Sequence, residues 1–178
     1  QCRHGVLSLW HSVTGSVRYG GRRMDFDGAD GYIEKDWGSA FPDNWVWMQC
    51  GDSRVTLMCA LASIPLKLIR FTGIICVLRD GDKQYRLATY NGARVLKLEW
   101  QGEGLCVELS HKNYRLGIRA QAGAFGHLQA PTPTGMDRRI QESLDTRFSV
   151  RLEHRGETVL QGKYTGGLEM LNIEGLIM

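Results

Sequence analysis

The feature that most constrains this chain is a side-chain period of two, recurring in short apolar segments that turn residues separate. Successive residues of a strand point to opposite faces, so this alternation asks for extended chain with one face buried and one wet. Leu96, Leu98 and Trp100 oppose Lys97 and Glu99; after Gln101-Gly102-Glu103-Gly104, Leu105, Val107 and Leu109 oppose Glu108 and Ser110. Tyr114, Leu116, Ile118 and Ala120 repeat the pattern against Arg115 and Arg119, as do Phe148, Val150 and Leu152 against Arg151 and Glu153. Segments 55–62 and 72–78 are apolar on both faces, and Asp80-Gly81-Asp82-Lys83 reads as a turn into 84–90. Twenty-two glycines against four prolines provide the turns, and no stretch sustains a helical period.

These strands predict an all-β fold. A meander must protect its edges, and closing into a calycin- or lipocalin-like antiparallel barrel, or a split β-sandwich, does so. An immunoglobulin-like sandwich fits the same alternation. A chain of 178 residues can bury a core of its own, and no repeat or linker divides it, so residues 1–178 are expected to form one domain. The segment Ala130-Pro131-Thr132-Pro133-Thr134-Gly135-Met136-Asp137 is expected to be a long ordered loop that covers a cavity mouth, because proline restricts the backbone and removes donors.

Charge and cysteine usage narrow the partners. The net charge of +3 is spread along the chain without a dense basic block, which argues against a nucleic-acid partner. Cys2, Cys50, Cys59, Cys76 and Cys106 form no CxxC pair and lie in hydrophobic stretches, so we expect buried thiols in a reducing, cytoplasmic compartment. The opening Gln1-Cys2-Arg3 lacks an initiating Met, from which we expect an upstream portion to have been removed. HExxH, GxSxG, GxGxxG and P-loop patterns do not occur, so neither a metal nor a cofactor is expected.

One segment does not read as ordinary core or loop. Residues 31–50 place Trp37, Trp45 and Trp47, three of the five tryptophans, beside Glu34, Asp36 and Gln49. As extended chain, Tyr32, Glu34 and Asp36 share one face, Trp45, Trp47 and Gln49 share a face of the next segment, and Phe41-Pro42 fixes the connection. If the two faces meet in a cavity, a carboxyl among indoles would have its charged form disfavoured and would become a general acid. The indole faces would bind an aromatic or polyene ligand, or stabilise a carbocation. Three readings fit: tryptophans as plain core, a binding site without chemistry, and an acid-catalytic site. His11 is a candidate acid–base partner, His4 and His127 could reach a pocket in a closed barrel although no spacing fixes their convergence, and Glu169, an acid in an apolar ending, is a candidate cavity acid.

The run Gly31-Tyr32-Ile33-Glu34-Lys35-Asp36-Trp37-Gly38, followed by Phe41-Pro42 and Trp45-Val46-Trp47-Met48-Gln49, resembles the hallmark segment of tocopherol cyclase-like proteins. The similarity extends through His4-Gly5-Val6-Leu7-Ser8, His11-Ser12, Phe71-Thr72-Gly73, Ala88-Thr89-Tyr90, Ala130-Pro131, Gly135-Met136 and Gly167-Leu168-Glu169, and suggests the C-terminal portion of a longer bacterial member. The resemblance implies two lipocalin-like halves around a greasy cavity, and closure of a prenylated hydroquinone to a chromanol without redox change. Glu34 or Asp36 would then protonate the prenyl double bond, while Gln49 or His11 orients or deprotonates the phenol. Tyr32, Trp37, Phe41, Trp45, Trp47 and Glu169 would bind the ligand.

The stretch Ile64-Pro65-Leu66-Lys67-Leu68-Ile69-Arg70 is more basic than the resemblance leads one to expect, and aromatic residues are sparse after Trp47. Another prenyl lipid, or hydrophobic ligand binding without catalysis, is the alternative. A homodimer would cover an opened cavity, and transient contact with a membrane surface would supply a lipid ligand.

Overall fold

In a computed structural model, residues 2–66 and 68–176 are described; Gln1 and Lys67, which belong to stretches discussed above, lie outside the described residues. Strands β1 (Cys2–Tyr19) and β2 (Arg22–Gly38) form a two-stranded antiparallel ribbon. Its reversal is made by Gly20 and Gly21 at φ of 56° and 76°, a left-handed pair that glycine adopts without steric cost. The remaining strands are β3 (Trp45–Gly51), β4 (Val55–Leu66), β5 (Ile69–Asp80), β6 (Lys83–Ala88), β7 (Arg94–Gln101), β8 (Gly104–His111), β9 (Tyr114–Gln121), β10 (Gly126–Thr132), β11 (Gly135–His154) and β12 (Glu157–Leu171). They make a ten-stranded sheet in the order β6-β5-β4-β3-β12-β11-β9-β8-β7, with β10 added to β11, and every ladder is antiparallel.

The alternation legible in the sequence builds the core. Val46, Met48 and Cys50 of β3, Leu57, Cys59 and Leu61 of β4, and Ile74, Cys76 and Leu78 of β5 point to one face. They pack with Leu105, Val107 and Leu109 of β8, Leu116, Ile118 and Ala120 of β9, and Phe148, Val150 and Leu152 of β11. Side chains fill the space inside the curled sheet, so its concave face is a packed interior.

The expected lipocalin-like β-barrel is not formed. Among the described residues no sheet closes: β6 and β7 end the strand order and share no ladder. After β6 the chain turns through a single 3-10 turn, Thr89–Asn91, and Gly92 at φ 87°, and β7 then pairs only with β8. Lys83, Gln84 and Arg86 on one edge and Arg94 and Glu99 on the other are exposed, and charged edges resist further pairing. The Tyr85 ring of β6 stands edge-on to Tyr114 of β9 at 5.4 Å, and Tyr114 stacks on His154 of β11 at 4.5 Å.

The expected long loop at 130–137 is also corrected. It is a hairpin, with Thr132 paired to Gly135 across Pro133-Thr134, and Pro131 lies in the short strand β10. Proline is tolerated there because β10 has only one neighbour and needs no second set of donors.

Candidate functional site

Strand parity leaves a second face on β3, β4 and β5, turned away from the packed core. Across this face Trp45 aligns with Ala62 and Gly73, and Trp47 with Ala60 and Ile75. Small residues beside large indoles leave a trough. Strand β12 extends it with Glu169, paired to Trp47, and β11 adds Glu142, which opposes Glu169. The β1–β2 ribbon brings His4, Glu34 and Asp36 to the trough, and together they line a partly open cavity of about 640 Å³.

Each side of this chamber is fixed by identifiable contacts. Phe41 stands edge-on to Trp45, with ring centroids 6.0 Å apart, and its backbone N–H donates to the Pro131 carbonyl at 3.3 Å. Arg138 holds the connection between β2 and β3 by donating to the Phe41 and Pro42 carbonyls and to Asp43. Trp45, Ala130 and Ile140 form a small separate cluster with Phe41 and Trp47 against it. Gly167 is required under Trp47, because a Cβ there would come within 2.9 Å of the indole ring.

Two indole N–H groups each meet a carboxylate. Trp47 Nε1 donates to Glu34 Oε2 at 2.9 Å, and Trp45 Nε1 donates to Glu169 Oε1 at 2.7 Å. The Tyr32 hydroxyl also donates to Glu34, and its ring centroid lies 6.4 Å from that of Trp47. His4 Nδ1 is 2.7 Å from Asp36 Oδ1 and 3.4 Å from Glu34 Oε1.

These contacts separate the protonation of the two neighbouring acids. Burial pushes the Glu34 carboxyl above its ordinary range, and the hydrogen bond it shares with Asp36 acts in the same direction, against the donors Tyr32 and Trp47. Burial also works to raise Asp36, but hydrogen bonds from His4 and Glu34 outweigh it and hold that carboxyl below its ordinary range. Burial opposes the charge on His4, yet its bond to Asp36 and the charges of Glu34 and Asp36 prevail, so the imidazole is the more readily protonated. Glu34 therefore binds a proton more tightly than Asp36, and His4 more tightly than a free imidazole. Burial and the neighbouring Glu34 push the Tyr32 phenol up, which keeps it a donor.

Glu169 has a different poise. Burial, and then the charges of Glu142, Asp36 and Glu34, push it up to about 7 against the donating Trp45 indole. It can give or take a proton near neutrality. The ligand atoms of His4, Glu34 and Asp36 also lie within 4.8 Å of one another, a spacing that could hold a cation. His4 lies on β1 and the two acids on β2, so no sequence spacing joins the three.

The structure brings together Glu34, Asp36, Phe41, Trp45, Trp47 and Glu169 around the cavity, with Tyr32 bonded to Glu34 from behind. It does not bring the others. Trp37 is 43% exposed, with Lys35 Nζ 5.3 Å from its ring centroid, and it does not line the chamber. Gln49 shares the Trp47 face but lies a rung further on, beside Met58 and Gly167, outside the cavity lining. His11 bonds to Ser8 Oγ at 2.9 Å and packs over Gly31, also outside it. Sequence reasoning did not single out His4 for the site, although in an antiparallel ribbon His4 falls opposite Asp36 once the Gly20-Gly21 reversal is fixed.

Comparisons with known proteins agree with this architecture. A tocopherol cyclase-like family model matches residues 7–170. A probable chloroplastic tocopherol cyclase of Oryza sativa subsp. japonica is 43% identical over 49 residues, which is 28% of this chain and 9% of that protein. The chloroplastic tocopherol cyclase of Zea mays is 46% identical over 37 residues, 21% of this chain and 8% of that protein. The matched segments thus span under a tenth of the plant proteins. Kievitone hydratase from Nectria haematococca superposes with a TM-score of 0.56 at 12% identity, over 96% of this chain and 52% of that one, a likeness of fold alone. Its sequence pattern across nearly the whole length places this chain in the tocopherol cyclase-like family.

Proposed function

We propose that this protein closes a ring on a prenylated phenol or hydroquinone by acid catalysis. The observation that carries the proposal is Glu34, a carboxyl whose proton affinity burial raises and which lies against the Trp47 indole in a largely apolar cavity. Glu34 gives its proton to the prenyl double bond, and the electron-rich faces of Trp45 and Trp47 stabilise the tertiary cation. The phenol oxygen attacks that cation. One C–H and one C–O bond form, the alkene π bond and the phenol O–H are consumed, and the mass is unchanged.

Asp36, bonded to His4, is the weaker proton holder of the two acids, which favours Glu34 as the donor. Glu169, about 7 and on the far side of the cavity floor, accepts the phenol proton. It takes this role in place of Gln49 and His11, which lie outside the lining. Nε2 of His4, buried and without a protein partner, offers a polar anchor for the ligand hydroxyl.

Incubation with a panel of prenylated hydroquinones should give an isomeric chromanol, and Glu34→Gln should slow it by about 10²–10⁴-fold. A Glu34→Gln variant with unchanged turnover sinks this assignment. A protein that retains a hydrophobic ligand and returns it unaltered supports the non-catalytic alternative, hydrophobic ligand binding.

A further inference from the structure

Rung by rung, the β4–β5 hairpin leads from the cavity floor into solvent. Ala62 pairs with Gly73 on the floor, Ile64 with Phe71 on the cavity wall, Pro65 with Arg70, and Leu66 with Ile69 at the tip. At this tip Leu68 is 100% exposed, Ile69 61% and Leu66 54%. A tight reversal calls for glycine, asparagine or proline, and none of its geometry calls for three large aliphatic side chains in water. Clustered exposed apolar residues mark a surface that something covers.

The charges beside the tip indicate what covers it. Arg70 pairs with Pro65 one rung from the tip, and Arg138 stands on the same shoulder through their shared partner Asp43. Arg70 and Arg138 share one acid, Asp43, at 3.4 and 3.1 Å, so the shoulder keeps an excess of positive charge. An apolar point with a cationic collar matches the boundary between acyl chains and anionic headgroups.

We propose that the β4–β5 hairpin tip docks into an anionic lipid surface, with Leu66, Leu68 and Ile69 in the acyl boundary and Arg70 among the headgroups. A hydrophobic ligand then passes along Ile64 and Phe71 onto the cavity floor without crossing water. The ligand's identity rests on the reading of the cavity given above; the docking does not.

Co-sedimentation of the protein with phosphatidylglycerol-containing vesicles tests the docking. Wild type should bind them at least about tenfold better than pure phosphatidylcholine vesicles, because each cation near an anionic surface strengthens attachment. The variant Leu66→Ser/Leu68→Ser/Ile69→Ser should lose at least about tenfold in binding, since the buried apolar area is removed. Its unfolding temperature should stay within a few degrees of wild type. Amide exchange over 64–71 should slow when vesicles are added to wild type.

Absence of vesicle binding, equal binding by the triple variant, or unchanged exchange at the tip overturns the proposal. So does a concentration-dependent dimer that the triple substitution dissociates, which would make a second copy the occupant. The two readings fail separately. Vesicle binding without turnover removes the cyclisation and keeps the docking; turnover of a short-chain, water-soluble prenyl phenol without vesicle binding does the reverse.

Discussion

Replacing Glu169 by glutamine should make the protein more stable at alkaline pH and leave it unchanged in acid. Glu169 is pushed from 4.5 to about 7, first by burial and then by Glu142, Asp36 and Glu34. Each tenfold change in proton affinity is worth about 1.4 kcal/mol, so the raw penalty for its ionised form is roughly 3 kcal/mol, which solvent in the cavity reduces to about 2 kcal/mol. The folded state holds the proton more tightly than the unfolded chain. Stability from this group is therefore fully present below about 4.5 and is lost as the pH rises through about 7. Glutamine has no such loss, and its side-chain oxygen can still accept from Trp45 Nε1.

Urea or thermal unfolding of the two proteins should thus coincide near pH ~4 and separate by about 2 kcal/mol near pH ~8, roughly 4–8 °C in melting temperature for a domain of this size. Glu34 and His4 titrate in both proteins, so the difference isolates Glu169. A gap that is constant with pH, or one that widens toward acid, would refute the reasoning.

Three further outcomes follow from the same geometry. Asp36→Asn replaces the carboxylate 2.7 Å from His4 Nδ1 by a neutral amide, and should lower the imidazole pKa, because the charge that favours the imidazolium is lost. An NMR titration of His4 reads this, and an unshifted midpoint would show that Asp36 does not hold the charge. Ala60→Leu, on the trough beside Trp47, should cut binding of a hydrophobic probe by more than about tenfold through lost cavity volume; unchanged binding would place the ligand elsewhere. Gly167→Ala sets a Cβ within 2.9 Å of the Trp47 ring, and should destabilise by about 1–3 kcal/mol and shift tryptophan emission; an unaltered spectrum would argue against the close contact.

Local periodicity carried the strands. Leu105 to Leu109 and Phe148 to Leu152 alternate in sequence as they do in space, because a strand's two faces are set by its own backbone. The pairing of acids with indoles was also within reach. Residues 31–38 and 45–50 are joined by a short connection, so whichever faces they present must be near each other.

Sheet closure, the placing of the cavity and the division of the acids depend on long-range contacts. Whether β6 reaches β7 is decided by how far ten strands curl, a sum of twists over the whole chain that no local pattern contains. The same alternation is satisfied whether the greasy space lies inside the curl or outside it. Here one strand face gathers the buried core cluster, and Trp45, Trp47, Ala60 and Ala62 on the other line the cavity with His4, Glu34 and Asp36 of the β1–β2 ribbon. Glu169 and His4 reach it from opposite ends of the chain. Strands, two acids and a cluster of indoles are legible in the local sequence; that the Glu34 carboxyl is pushed up while Asp36 is held down comes from the assembled tertiary structure. The reason is physical: burial and His4 act on the two carboxyls unequally, and both effects exist only once distant strands have met.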